Sequence, residues 1–157
     1  MATIRVQAED FDAADEAAVL TRGRADIGAV VTFVGLCRDE GGALSRLEIE
    51  HYPGMAEREI ARIADEAEAR WPLLGVTIVH RFGAIAPGEQ IVLVVTASAH
   101  RGDAFASCEF VMDYLKTEAP FWKKEKTEQG ERWVDARVTD EAALARWGGV
   151  PVNTKSE

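Results

Sequence analysis

Cysteine is scarce in this sequence: Cys37 and Cys108 stand far apart among 157 residues, with no partner at metal-ligand spacing. That excludes a disulfide framework. The three histidines, His51, His80 and His100, are equally scattered, so no metal site and no metal cofactor are expected. Apolar runs long enough to span a bilayer are missing, and the opening Met1-Ala2-Thr3-Ile4-Arg5 lacks the build of a signal peptide. A cytoplasmic protein is expected, in a reducing compartment. Positive charge is also in deficit, since 18 Lys and Arg face 27 Asp and Glu for a net charge of -9. Broad attraction to nucleic acid or to an anionic membrane surface is thereby excluded, and any anion site has to be local. Gly35 belongs to no phosphate-loop or dinucleotide fingerprint, and neither internal repeats nor low-complexity tracts occur.

What is present is a chain 47% hydrophobic, enough for one buried core. A single domain over 1–147 is expected, followed by a loose polar tail over 148–157. Alternation from Thr3 to Gln7 predicts a strand, and Asp10 or Asp12 caps a short alanine-rich helix ending near Gly23. The β-branched run Ile27 to Val34 predicts a strand buried on both faces. Arg46 to Tyr52 predicts a half-exposed strand with Leu47 and Ile49 inward, and Met55 to Trp71 a helix whose apolar stripe includes Ala56, Ile60, Ile63, Ala64 and Ala67. Val76 to Arg81 and Ile91 to Ser98 predict two strands, the second central in a sheet. Asp103 is expected to cap a helix from Ala104 to Lys116, which Pro120 stops. A hairpin over 121–136 and a short helix ending at Trp147 complete an α+β fold, a mixed sheet packed with helices plus a small antiparallel sub-sheet.

Lysines concentrate at Lys116, Lys123, Lys124 and Lys126, around Ala119-Pro120-Phe121-Trp122, in a chain otherwise acidic. Lysine holds phosphate or carboxylate, moves protons when desolvated, and attacks acyl groups when neutral. Phe121 and Trp122 could supply the dry wall such tuning needs. The competing reading is structural: Lys116 complements a helix C-terminus, and the later lysines guard a sheet edge. His100 and Arg101, between a strand end and a helix start, form a second candidate, and Arg38 beyond another strand is a third. Cys37 beside Arg38 could be a thiolate activated by the adjacent cation, or a core filler. Cys108 falls on the helix stripe and is assigned to the core, as His51 and His80 are assigned to structural roles on alternating strands.

Several segments, in order, resemble the large, catalytic subunit of molybdopterin synthase, the MoaE family. They are Gly28-Ala29-Val30-Val31-Thr32-Phe33-Val34-Gly35 with Arg38, Glu50-His51-Tyr52-Pro53-Gly54-Met55, Ser98-Ala99-His100-Arg101, and the longest, Met112-Asp113-Tyr114-Leu115-Lys116-Thr117-Glu118-Ala119-Pro120-Phe121-Trp122-Lys123-Lys124-Glu125. The resemblance covers roughly Thr3 to Trp147.

It implies an α/β hammerhead-like fold and a sulfur transferase that converts precursor Z, a cyclic pyranopterin monophosphate, into molybdopterin. The sulfur would come from the C-terminal Gly-Gly thiocarboxylate of a small ubiquitin-like carrier of the MoaD type, with two large subunits forming the central homodimer of a heterotetramer. The resemblance assigns Lys116 and Lys123 to catalysis, and Arg38, His100, Arg101 and Arg137 to substrate binding, Arg137 reaching across the dimer. It implies no cofactor and no metal. Against it stand two rivals: a dimeric module that binds an acidic tail or phosphorylated ligand without catalysis, and a thiol enzyme built on Cys37.

Overall fold

A computed structural model describes residues 2–134 and 138–148. The expected loose tail therefore lies, apart from Gly148, outside the described residues, as does Arg137. The first sheet contains β1 (Ala2–Gln7), β2 (Ala29–Leu36), β4 (Leu73–Arg81) and β6 (Gln90–Ser98) in the order β1-β4-β6-β2. β1 runs parallel to β4 and the other pairs are antiparallel, which makes the sheet mixed. The second sheet is wholly antiparallel: β3 (Leu44–His51), β5 (Gly83–Ile85), β7 (Phe121–Thr127) and β8 (Gly130–Val134) in the order β5-β3-β7-β8. The late hairpin thus joins an earlier strand, so the sub-sheet is larger than the local sequence pattern suggested.

Alternation along β4 and β6 explains the layering, because successive side chains point to opposite faces. Val79, Leu93 and Val95 pack with Phe11 against α1 (Ala13–Thr21). Val76, Ile78, Val92 and Val94 pack on the other face with residues of α2 (Met55–Arg70) and α3 (Arg101–Glu118). Phe110 of α3 is fully buried, with Trp71 and Trp147 edge-on to its ring. Truncating such a ring costs about 3–5 kcal/mol through lost burial and the cavity left behind. α4 (Val138–Ala145) lies against α3. Trp147 Nε1, just beyond α4, donates to Asp113 Oδ2 at 2.6 Å.

Local capping follows the sequence in one helix and departs from it in another. The Asp12 carboxylate accepts from the Asp15 amide at 3.0 Å and starts α1. Asp103 does not cap α3: the helix begins three residues earlier, His100 holds the N-cap position without a side-chain cap bond, and Asp103 lies in the first turn. There its carboxylate still complements the helix dipole.

The second correction concerns β2. Its apolar run suggested burial on both faces, yet it is an edge strand, with Val30, Phe33 and Leu36 exposed at 36%, 37% and 56%. A hydrophobic edge of this kind leaves backbone donors and acceptors as well as apolar side chains available to another chain.

Candidate active site

Four elements of the fold converge at one end of the first sheet. The C-terminal ends of β2 and β4, the N-terminal end of β6, and the last turn of α3 meet there, and β7 of the second sheet passes beside them. They enclose a nook of about 60 Å³ whose walls include Gly35, Val92, Met112 and Leu115. Its polar groups come from Lys116, Lys123 and His80. A shallower groove of about 570 Å³ continues between β2 and α3, sharing Phe33, Met112 and Lys116 with the nook. Gly35 is required in the wall, because a Cβ there would stand 2.7 Å from Val92 Cγ1.

The two lysines singled out from the sequence are therefore brought together by tertiary structure, Lys116 from α3 and Lys123 from β7. Lys124 and Lys126 point elsewhere. Lys126 pairs with Glu48 and Glu131, each at 3.3 Å, while Lys124 pairs with Glu131 at 3.6 Å and lies 4.5 Å over the Trp133 ring. These two are structural, but not as guards of a sheet edge: β7 is paired on both sides, with β3 and β8, and the lysines form cross-strand ion pairs on its outer face. Alternation along β7 also divides the aromatics: Phe121 shares the face of Lys123, whereas Trp122 turns outward against Tyr52, ring centroids 5.5 Å apart. Trp122 supplies no wall to the nook.

His80 is the residue sequence reasoning missed. It is buried at the end of β4, and its ring stacks on Phe121 with centroids 3.8 Å apart. Nδ1 lies 2.8 Å from the Arg81 carbonyl oxygen, which can only accept, so Nδ1 carries the proton. Burial is the main reason its pKa falls to about 3, with Lys123, His51 and Lys116 adding positive charge nearby. The only sequence signal was its place at the end of a buried strand, where sites collect in open sheets.

Arg38 follows Leu36 and Cys37 at the same end of β2 and is exposed. Cys37 is 4% exposed, and its backbone is held by bonds to Gly88 and Glu89. Burial first, and then the carboxylates of Asp39, Glu125 and Glu89, push its thiol upward. The activating effect expected from Arg38 is overridden, and Cys37 is not a poised thiolate. Cys108 is buried on α3, with its thiol pushed up to about 12 by desolvation.

His100 and Arg101 do not join this cluster within one chain. Ala29 pairs with Ser98 and Leu36 with Gln90, so the strand end leading to His100 lies at the opposite end of β2 from Arg38. The ends of this 8-residue strand are roughly 23 Å apart, at about 3.3 Å for each step from one residue to the next. Along α3, Arg101 and Lys116 are likewise roughly 22 Å apart at 1.5 Å per residue. Among the described residues, the sequence-assigned site residues fall into two groups at opposite ends of the first sheet.

The comparisons with known proteins bear on this arrangement. The family model described as MoaE protein matches residues 6–118. The chain is 64% identical to the molybdopterin synthase catalytic subunit of Mesorhizobium japonicum, covering 92% of each chain. It is 59% identical to the protein of the same name from Ralstonia nicotianae, covering 99% of this chain and 90% of the relative. Among solved structures, the molybdopterin biosynthesis MoaE protein of Burkholderia ambifaria superposes with a TM-score of 0.82 at 61% identity, over 94% of this chain and 99% of that one. With the family model matched over residues 6–118, relatives about 60% identical along nearly the whole chain and the fold in agreement, this chain belongs to the MoaE family.

Proposed function

We propose that the nook between Lys116 and Lys123 is the sulfur-transfer centre of a molybdopterin synthase catalytic subunit. The observation carrying this reading is the convergence of two lysines from separate elements on one partly apolar recess in an acidic protein. The chain acts in molybdenum cofactor biosynthesis, converting precursor Z to molybdopterin with sulfur from the thiocarboxylate of a small ubiquitin-like carrier. Relatives named catalytic subunits imply a second kind of subunit, and the carrier fills that place. Each transfer forms a carbon–sulfur bond at a pterin side-chain carbon, which gives up its bond to oxygen as freed phosphate oxygen or as water, and cleaves the carrier's acyl–sulfur bond, with a water oxygen leaving the carrier as a carboxylate. Lys116 moves the proton or forms the covalent link, and Lys123 balances the charge that develops.

A recess of about 60 Å³ is far below the several hundred Å³ that a pterin phosphate needs, so the substrate must be held by walls outside it. The exposed β2 edge supports a homodimer as their source. Antiparallel pairing of two β2 strands about a two-fold axis would set the Ser98 corner of one copy against the Leu36 corner of the other. His100 and Arg101 of the partner subunit would then face Arg38, Lys116 and Lys123, and cations from both copies would hold the phosphate. Arg137 belongs to the same proposal, although it lies outside the described residues. Two buried, unbridged cysteines are compatible with the reducing cytoplasm in which we place the protein.

The direct test is to mix the protein with thiocarboxylated carrier and precursor Z and look for dithiolene product by mass spectrometry. Product formation supports the reading. Binding of both ligands without product would favour the non-catalytic module.

A further inference from the structure

The Lys116–Lys123 recess contains a third polar group to which no role has been given. His80 is 5% exposed, stacks almost parallel on Phe121 with planes 12° apart, and spends its Nδ1 proton on the Arg81 carbonyl. In the neutral ring this leaves Nε2 as a lone-pair acceptor at the edge of a recess otherwise furnished with cations. Phe121 and Lys123 are two residues apart on β7 and share a face, so whatever fixes the Phe121 ring also fixes the base of the Lys123 side chain. The stack joins β4 of one sheet to β7 of the other at this point.

We infer that His80 is a positioning residue for Lys123: it anchors β7 through the Phe121 stack and offers Nε2 as the acceptor for one of the three ammonium protons. The inference rests on the reading of the recess given above. The charged and titratable groups acting on His80 are Lys123 from β7, Lys116 from α3 and His51 from β3, all of which discourage a further positive charge on its ring. Arg81, its neighbour on β4, directs its guanidinium to the Ala8 and Gln90 carbonyls. An acceptor that stays neutral can hold an ammonium without competing for the substrate's anionic groups. A cationic or acidic side chain at this position could not do both.

His80→Phe keeps an aromatic ring against Phe121 and removes the acceptor, whereas His80→Gln gives up the ring and restores an acceptor. In the complete assay, His80→Phe is expected to lower kcat roughly tenfold or more with KM nearly unchanged. The alkaline limb of its pH profile should move to lower pH, because an ammonium that loses an acceptor gives up its proton more readily. His80→Gln should recover part of both. Wild-type kcat and an unmoved limb in His80→Phe would overturn the inference, as would equal impairment of the two variants without any shift of the limb. Should His80→Phe fail to fold, nitrogen-15 spectra of the wild-type ring decide: Nε2 is expected to remain unprotonated near neutral pH and to shift in Lys123→Ala. A protonated Nε2, or no response to Lys123→Ala, would overturn it. Lys116→Ala and Lys123→Ala measured in parallel separate the two levels. Active lysine variants would defeat the reading of the recess itself, whereas inactive lysine variants beside a normal His80→Phe would defeat only the role of His80.

Discussion

The His80 imidazole lies face to face with the Phe121 ring, 3.8 Å between centroids, and so ties the mixed sheet to the antiparallel one beside the lysine recess. The contact needs a neutral, buried ring, which makes it visible in stability as well as in catalysis.

Stability should fall as the pH drops below about 6.5. The folded ring takes up a proton only near pH 3, whereas in the unfolded chain it titrates near the ordinary 6.5. Between those values the unfolded state binds the extra proton, so the contribution of His80 is full above about 6.5 and declines by up to roughly 1.4 kcal/mol per pH unit on the way down. Urea denaturation between pH 7 and pH 5, above the main carboxylate range, isolates the effect. His80→Phe should flatten that slope; a variant as steep as wild type would contradict it.

Lys116→Ala is expected to lower turnover by about 10²–10⁴ while carrier binding changes little, since a proton-moving group contributes on that scale and the side chain is exposed rather than structural. Lys116→Arg should not rescue it, because guanidinium stays charged. Single-turnover product formation and a carrier titration separate the two quantities. Full activity in either variant would remove Lys116 from the chemistry.

Subunit mixing tests whether each site is built from two copies. Lys116→Ala and Arg101→Ala proteins are each expected to be nearly inactive, yet unfolding and refolding them together should restore activity. In a mixed dimer one site would hold both substitutions and the other none, giving roughly one quarter of the wild-type sites in a statistical mixture. Sites built within single chains would give no recovery at all.

Cys37→Ser should retain most activity and lose about 1–3 kcal/mol of stability, the usual range for burying a hydroxyl in an apolar place. Thermal melting and the product assay report the two effects. A folded but inactive Cys37→Ser protein would revive the thiol reading that the raised pKa of Cys37 now opposes.

Sequence by itself determined the parts governed by local periodicity and by motif order. The α2 stripe of Ala56, Ile60, Ile63, Ala64 and Ala67 is buried as its spacing required, and β6 is central as its apolar run suggested. Lys116 and Lys123 were legible because lysines clustered in an acidic chain stand out, and the surrounding segments identified the family. Tertiary structure alone decided which strand lies at an edge, since the apolar runs of β2 and β6 look alike until pairing leaves one of them without a second neighbour. It alone separated Lys123 from Lys124 and Lys126, set Arg38 and Arg101 at opposite ends of β2, and brought His80 under Phe121. Those relations depend on long-range strand pairing, to which hydrophobic patterning along the chain is blind.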